Sequence, residues 1–277
     1  GQMTSFTFLG TGGGRFATIY QVRSTGGIYM VDEGRLHLDP GPSALAGMKA
    51  LALDPARTDC VLVSHCHPDH YGDAEMLIEG MTWGGSRKAG SLVSTSSVLE
   101  GGGKFSQAIS SYHQSLPREV LRVAPGDRFQ AAGMTIEATP TVHSDPSGVG
   151  FRFHTSAGPV SYISDTEAHE CLYRTHRGSR MLIVNLTCPT RSRIPMHMHT
   201  EDAAALISDI RPEMAVLTHF GIGVIEDGAE TQARYIENAS GVRTIPAEDL
   251  MTFEVSSSIT AIKGTAAPAD AVPVWHH

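Results

Sequence analysis

The stretch "VSHCHPDHYG", residues 63–72, places three histidines and one aspartate within six positions, directly behind the apolar run "CVLV". The run predicts a buried strand, and the polar residues at its end are His65, His67, Asp69 and His70. Side chains alternate along an extended chain, so we expect His65 and His67 to emerge on the same side. Pro68 cannot continue a strand ladder and predicts a turn that carries Asp69 and His70 into a following helix. All four side chains are therefore expected to point toward nearly the same space.

This combination of side chains indicates a metal site. Imidazole nitrogens and carboxylate oxygens bind zinc, manganese and iron. A single histidine is more often a structural or surface residue, but three with an aspartate at this spacing favour metal binding strongly. Four such groups in six positions exceed the need of one open catalytic ion. Two adjacent divalent ions are therefore predicted, with zinc expected first and manganese or iron as alternatives.

Two ions need more ligands, and three candidates lie at the ends of predicted strands. His143 follows "MTIEATPTV", Asp165 follows "VSYIS", and His219 follows "MAVLT". Functional groups at strand ends are held by a rigid scaffold and face an open rim. The same position relative to three strands favours one shared site.

Short runs rich in Val, Ile, Leu and Phe, bounded by glycine or proline, recur along the chain and predict strands. Helices are predicted in "PSALAGMKALAL", "KFSQAISSYHQSL", "TEDAAALISDI" and "AETQARYIENASG", the third with Thr200 as its N-cap. Interleaved strands and helices suggest an α/β (α+β) fold with two sheets packed face to face and helices outside. One domain over residues 1–277 is expected, with a core of about 5–255. Residues 256–277 are expected to be a C-terminal tail, or an arm whose "VPVW" docks on a neighbouring subunit.

Composition excludes several classes of function. The chain has 277 residues and a formal net charge of −8, without the basic footprint of a protein that binds nucleic-acid backbone. Its four cysteines form no CxxC pair, so neither a disulfide framework nor a thiolate zinc knuckle is indicated. No apolar run approaches a membrane helix, and no secretion-signal pattern is present. We expect a cytoplasmic protein without a membrane partner.

The pattern HxHxDH, followed by a histidine, an aspartate and a final histidine after successive strands, resembles the metallo-β-lactamase superfamily of dinuclear hydrolases. The resemblance implies a four-layer αββα sandwich with the site at the edge between its sheets. It implies a first metal held by His65, His67 and His143, and a second held by Asp69, His70 and His219. Asp165 would bridge the two ions together with a water or hydroxide.

Within that superfamily, the chain is most similar to the RNase Z and phosphodiesterase-like branch. "FLGTGGG" at 8–14 resembles that branch's opening strand and glycine turn, and "THFG" resembles its "HFS". "HMHTEDAA" matches its histidine loop HSTAEEAA in register, which puts the catalytic histidine on His197, with His199 as the competing choice.

The chain departs from that branch at several positions. It carries Asn185, Leu186 and Thr187 where the branch usually has an acidic residue and a threonine, and it lacks a Gly-Pro-rich arm for tRNA. Structured tRNA is therefore not favoured as a substrate. A small-molecule or nucleotide-like substrate is expected, and the family resemblance implies a homodimer.

The first hypothesis is a dinuclear metal-dependent hydrolase of the RNase Z-like type, acting on a phosphodiester. Two cations that share a water lower its pKa and supply a bridging hydroxide as nucleophile. Asp69 or Asp165 would orient that nucleophile or receive its proton, and His197 would donate a proton to the leaving oxygen. A hydrolase of a carboxylic ester, thioester or lactone is the alternative, since fold alone does not decide substrate. A non-catalytic binding protein is the third hypothesis, against which the complete ligand set argues.

Overall fold

Two mixed β-sheets face each other in the computed structural model, which describes residues 2–265. The first sheet comprises β1 Thr4–Phe8, β2 Ile28–Val31, β3 Arg35–Leu38, β4 Cys60–Leu62, β5 Ser91–Ser94, β6 Glu119–Arg122, β14 Thr252–Val255 and β15 Ile259–Ile262. Its spatial order is β15-β14-β1-β2-β3-β4-β5-β6, and the strands from β3 to β6 run parallel. Parallel strands place their carboxyl ends at one edge, where loops can converge.

The second sheet comprises β7 Arg128–Ala131, β8 Met134–Pro140, β9 Val149–Thr155, β10 Gly158–Ile163, β11 Met181–Asn185, β12 Met214–Thr218 and β13 Thr244–Pro246. Its order is β13-β12-β11-β10-β9-β8-β7. The strands from β10 to β13 are parallel, whereas β7 to β10 are antiparallel. The carboxyl ends of β10, β11 and β12 therefore lie side by side.

The described helices are α1 Arg15–Ile19, α2 Ala44–Ala50, α3 Pro68–Tyr71, α4 Ala74–Met81, α5 Ser96–Leu99, α6 Ser111–Gln114, α7 Glu170–Thr175, α8 Thr200–Ile210, α9 Ile222–Asp227 and α10 Ala229–Ser240. A short 3₁₀ turn covers Pro55–Arg57. Within residues 2–265, no helix is both long and apolar enough to cross a membrane.

Three apolar clusters define four layers. Aromatic side chains of both sheets, among them Phe6, Phe151 and Phe253, fill the space between the sheets. Helices α2 and α4 cover the outer face of the first sheet, and α8 and α10 cover the outer face of the second. Each sheet is thus buried on both faces, which explains why its central strands are almost uniformly apolar. The predicted αββα sandwich is confirmed.

The predicted helix in "KFSQAISSYHQSL" is wrong over its first half. Gly102 and Phe105 exchange both backbone hydrogen bonds, N to O at 2.8 and 2.9 Å, so a tight hairpin stands where a helix was expected. Only Ser111–Gln114 is helical, and Ser110 caps it by accepting from the backbone N–H of His113. Gly101, Gly102 and Gly103 all have positive φ, which favours a turn over a helix start.

Two further boundaries differ from expectation. Helix α8 begins at Thr200, and its N-cap is His199, whose Nδ1 accepts from the backbone N–H of Asp202. Strand β15 extends the first sheet beyond the expected core boundary at 255. The "VPVW" stretch, and with it the predicted docking arm, lies outside the described residues.

Candidate metal centre

The seven predicted ligands come together in two groups that share one residue. His65, His67 and His143 form the first group with Asp165, and the second contains Asp69, His70, Asp165 and His219. Within each group one ligand atom per residue lies within 4.8 Å of all the others. The division is the one that the family resemblance implies.

The seven candidate ligands lie just after the ends of strands or in the turn and short helix that follow β4. His65 and His67 follow β4, and Pro68 starts helix α3, which carries Asp69 and His70. From the second sheet, His143 follows β8, Asp165 follows β10, and His219 comes directly after β12. Because both sheets end at this edge, the centre lies in the cleft between them.

The spacing within the first group suits one ion. His67 Nδ1 lies 3.1 Å from His143 Nε2, and Asp165 Oδ2 lies 3.5 Å from His65 Nε2 and 3.6 Å from His143 Nε2. Two ligands on one tetrahedral zinc ion with bonds of about 2.1 Å would be roughly 3.4 Å apart. His65 Nε2 is buried and makes no hydrogen bond within the described part of the chain. A metal ion would satisfy this nitrogen.

The second group is equally tight. His219 Nε2 lies 3.1 Å from both His70 Nε2 and Asp69 Oδ2. Asp165 reaches this group with both oxygens, Oδ2 at 3.3 Å from His70 Nε2 and Oδ1 at 3.2 Å from His219 Nε2. Two carboxylates and two imidazoles form a donor set that accepts a hard or borderline divalent cation.

Asp39 orients two of the ligand histidines from behind. His70 Nδ1 donates to Asp39 Oδ2 at 2.8 Å. His65 Nδ1 bonds to Ser64 Oγ, which in turn donates to the same Asp39 oxygen. Tyr162 from the second sheet adds a third donor at 2.8 Å. With their Nδ1 atoms engaged, both imidazoles present Nε2 to the centre, as metal-binding histidines usually do.

His143 and His219 also face the centre with Nε2, and the Nδ1 atom of each has a partner outside the ligand groups. His143 Nδ1 donates to the backbone carbonyl of Met196 at 2.9 Å, and His219 Nδ1 lies 3.1 Å from Thr187 Oγ1. His219 and Met196 both adopt positive φ, 57° and 63°. Such backbone strain in non-glycine residues concentrates at functional sites, where the surrounding structure enforces it.

The pKa shifts of the candidate ligands favour the protonation states that bind a cation. Burial lowers the pKa of His67 and His143 to about 4, so both rings are neutral at pH 7 and keep a lone pair. Burial by itself would raise the pKa of Asp165, but His219 and His70 hold that pKa well below its usual value. The shared carboxylate is therefore ionised at neutral pH.

The two candidate proton donors occupy different environments. The ring of His197 lies 5.1 Å from that of His143, with Nδ1 donating to the carbonyl of Pro195. His199 is buried, and its Nε2 lies 3.0 Å from Asp202 Oδ2. His197 thus borders the ligand groups, while the ring of His199 is engaged by helix α8.

Several supporting residues were not predicted from the sequence. Asp39 is the clearest case: it follows strand β3 in "RLHLDPG", the same strand-end position that identified the other ligands. Asp145 was missed as well; it accepts from the backbone N–H of Cys66 at 2.9 Å and fixes the loop between His65 and His67. Asn185 likewise ends an apolar strand, but it stood out only as a departure from the branch pattern, and its bond to Asp165 was not predicted. Local sequence offers no comparable sign for Tyr162.

The chain is similar to known proteins in both sequence and fold. A family described as "Beta-lactamase superfamily domain" matches residues 34–220, a range that contains all seven candidate ligands. An uncharacterised protein of Methanocaldococcus jannaschii is 41% identical over 243 residues, covering 87% of this chain and 91% of its own length. A Ribonuclease Z of Methanosarcina acetivorans is 27% identical over 52% of this chain and 47% of its own length.

Solved structures share the fold. The metallo-β-lactamase fold protein YhfI of Bacillus subtilis superposes with a TM-score of 0.76 at 18% identity, covering 91% of this chain and 99% of YhfI. A diphosphatase of the PhnP family gives a TM-score of 0.67 at 15% identity, covering 91% of this chain and 97% of that protein.

Gly13 offers a direct test of the second group. A Cβ at this position would lie 2.2 Å from the ring of His219, so Gly13→Ala must displace that ligand. Elemental analysis of zinc-loaded protein should give about two ions per chain for the wild type and about one for the variant.

Gly47→Ala, in helix α2 away from the centre, is the matched control and should keep the wild-type metal content. Fewer than about two ions per wild-type chain would count against a dinuclear centre.

Proposed function

The chain belongs to the β-lactamase superfamily of metallo-β-lactamase-fold hydrolases, and we propose that it lies on the RNase Z-like branch and hydrolyses phosphodiesters with two divalent metal ions. The observation that carries the proposal is the pair of ligand groups joined through Asp165. Divalent ions bound there would lower the pKa of water toward neutrality and neutralise charge on the attacked centre. Zinc is the first choice, and the donor set also suits manganese or iron.

The protein's own side chains would divide the remaining work. Asp165 would orient the attacking water from its position between the groups, and Asp69 would orient it or accept its proton from the second group. His197 is partly exposed and borders His143. It would donate a proton to the leaving oxygen.

Charge around the centre favours an anionic substrate. Three segments border the ligands: 10–16, which approaches His219; 101–107, which reaches His67; and 189–198, which holds His143. These segments carry four exposed cations and no acidic residue, although the whole chain has a net charge of −8; the cations are Arg15, Lys104, Arg191 and Arg193. Local positive charge raises the concentration of a phosphodiester near the centre.

Lys104 is the best-placed of these cations. It occupies the tip of the hairpin closed by Gly102 and Phe105. The Phe105 ring packs 5.7 Å from the ring of His67, which anchors the hairpin beside the first group. Lys104 forms no ion pair within residues 2–265. Its ammonium group is therefore free to meet a substrate phosphate.

The histidine loop and the named relative support the same chemistry. "HMHTEDAA" resembles the loop of the RNase Z branch, and one relative is a Ribonuclease Z. The departures around Asn185 and the missing tRNA arm argue for a smaller substrate. We therefore propose a small nucleotide-like or cyclic phosphodiester.

Phosphodiesters, carboxylic esters, thioesters and lactones should be assayed side by side with metal-loaded protein. We expect a phosphodiester to give the highest kcat/KM, with Asp165→Ala inactive because the shared ligand is lost. A lactone or carboxylic ester that turns over far faster would overturn the proposal in favour of the alternative hydrolase.

Separate replacement of the two loop histidines tests the proton donor. His197→Ala should lower kcat by about 100-fold, the usual range for a general acid, while metal content stays unchanged. His199→Ala should instead destabilise the protein by about 1 kcal/mol, measured by urea unfolding, because an N-cap is lost. The reverse pattern would reassign the role to His199.

Lys104→Gln tests substrate charge. The variant should raise KM for a phosphodiester about two- to fivefold at low ionic strength and leave kcat nearly unchanged, as expected for one exposed charge pair. Lys49→Gln, on the exposed surface of α2, is the control. An equal effect of both variants would remove Lys104 from substrate recognition.

A further inference from the structure

Asn185 ends strand β11 and is almost completely buried, with 2% of its surface exposed. Its side-chain amide donates two hydrogen bonds from Nδ2, to Tyr162 Oη at 3.0 Å and to Asp165 Oδ1 at 3.0 Å. Asn185 therefore touches the shared carboxylate directly.

The orientation of this amide is determined by its neighbours. Tyr162 donates its own hydroxyl proton to Asp39 Oδ2, so its oxygen can only accept from Asn185. Asp165 Oδ1 lies 3.0 Å from the same Asn185 nitrogen, and a carboxylate oxygen is an acceptor. Both contacts require a donor, and among side chains of this size only an amide nitrogen offers two. Flipping the amide would set its oxygen against two acceptors.

The hydrogen bond from the Asn185 amide controls how the Asp165 carboxylate faces the ligand histidines. Asp165 Oδ2 lies 3.3 to 3.6 Å from the Nε2 atoms of three histidines, which are His65, His70 and His143. Rotation of an aspartate carboxylate about its last torsion is broad and weakly restricted. By holding Oδ1, Asn185 keeps Oδ2 between the two groups.

An acidic residue could not do the same. Aspartate at position 185 would remove both donors and bring a like charge to about 3 Å from Asp165, an unfavourable arrangement in a buried site. The RNase Z branch, by resemblance, usually carries an acidic residue here. A neutral amide at position 185, in place of the acidic residue, can donate a hydrogen bond to the shared ligand Asp165.

We propose that Asn185 is a positioning residue, which fixes the Asp165 carboxylate for both ligand groups and so raises the metal affinity of the centre. The inference rests on the proposed metal-dependent function. It concerns metal binding and orientation only, and the nature of the substrate does not enter.

Asn185→Leu and Asn185→Asp test the proposal in the full-length protein. Leucine removes both donors at similar size, and aspartate removes them and adds a charge. Zinc affinity, measured by competition with a chromogenic chelator, should fall about 10- to 100-fold in both variants, as for other partners of metal ligands. The visible absorption spectrum of the cobalt-loaded protein should change in both, because the geometry of a shared ligand has changed.

Thr4→Val is the matched control. It likewise removes a buried side-chain donor to a carboxylate, the bond from Thr4 to Asp32 at 2.7 Å, which lies outside both ligand groups, so zinc affinity should stay at the wild-type value. Melting temperatures measured without and with zinc separate positioning from folding: only Asn185→Leu should lose part of the zinc-induced rise in melting temperature.

Wild-type affinity and an unchanged cobalt spectrum in Asn185→Leu would overturn the positioning role. A wild-type protein that binds no metal would overturn the proposed function itself, so the two failures are distinguishable.

Discussion

The Asp165 carboxylate is the interaction on which the centre depends, because it belongs to both ligand groups at once. Its oxygens lie 3.2 to 3.6 Å from four imidazoles contributed by both sheets. A buried charge is unfavourable unless it is compensated by hydrogen bonds and opposite charge. Asn185 supplies the hydrogen bond, the histidines surround the remaining positions, and a divalent cation in each group would complete the compensation. The need to compensate the buried charge of Asp165 thus explains why the histidines surround it.

Asp39 connects that centre to the fold. It follows β3 in the first sheet and receives hydrogen bonds from Ser64, His70 and Tyr162, the last from the second sheet. One carboxylate therefore joins the two sheets at the edge where the ligands emerge. Asp39 has φ of 50° and His219 has φ of 57°, both unusual for non-glycine residues. The aromatic core between the sheets provides the stability that tolerates this local strain.

The ligands and the surrounding loops carry different kinds of functional information. The two ligand groups, which consist of imidazoles and carboxylates, define a class of metal chemistry. The fold that presents them serves many substrates. In the proposed function, selectivity would therefore belong to segments such as the hairpin of Lys104, which touches the centre through Phe105 and otherwise faces solvent. The basic character of three bordering segments, within an acidic protein, is what supports the proposal of a phosphodiester substrate.

The sequence by itself determined the seven candidate ligands, because each follows an apolar strand or lies within one short motif, and the αββα architecture followed from the family resemblance. Only the tertiary structure decided how the ligands are supported. The bond from Tyr162 to Asp39 joins residues 123 positions apart, and the bond from His143 to the Met196 carbonyl spans 53. The tertiary structure also placed His197 beside His143 and fixed His199 as a helix cap. In addition, it showed a hairpin around Lys104 where the first half of a helix was predicted. Local patterns report which face of a strand is buried, but hydrogen bonds between distant strands depend on sheet order and register, which arise only when the whole chain packs.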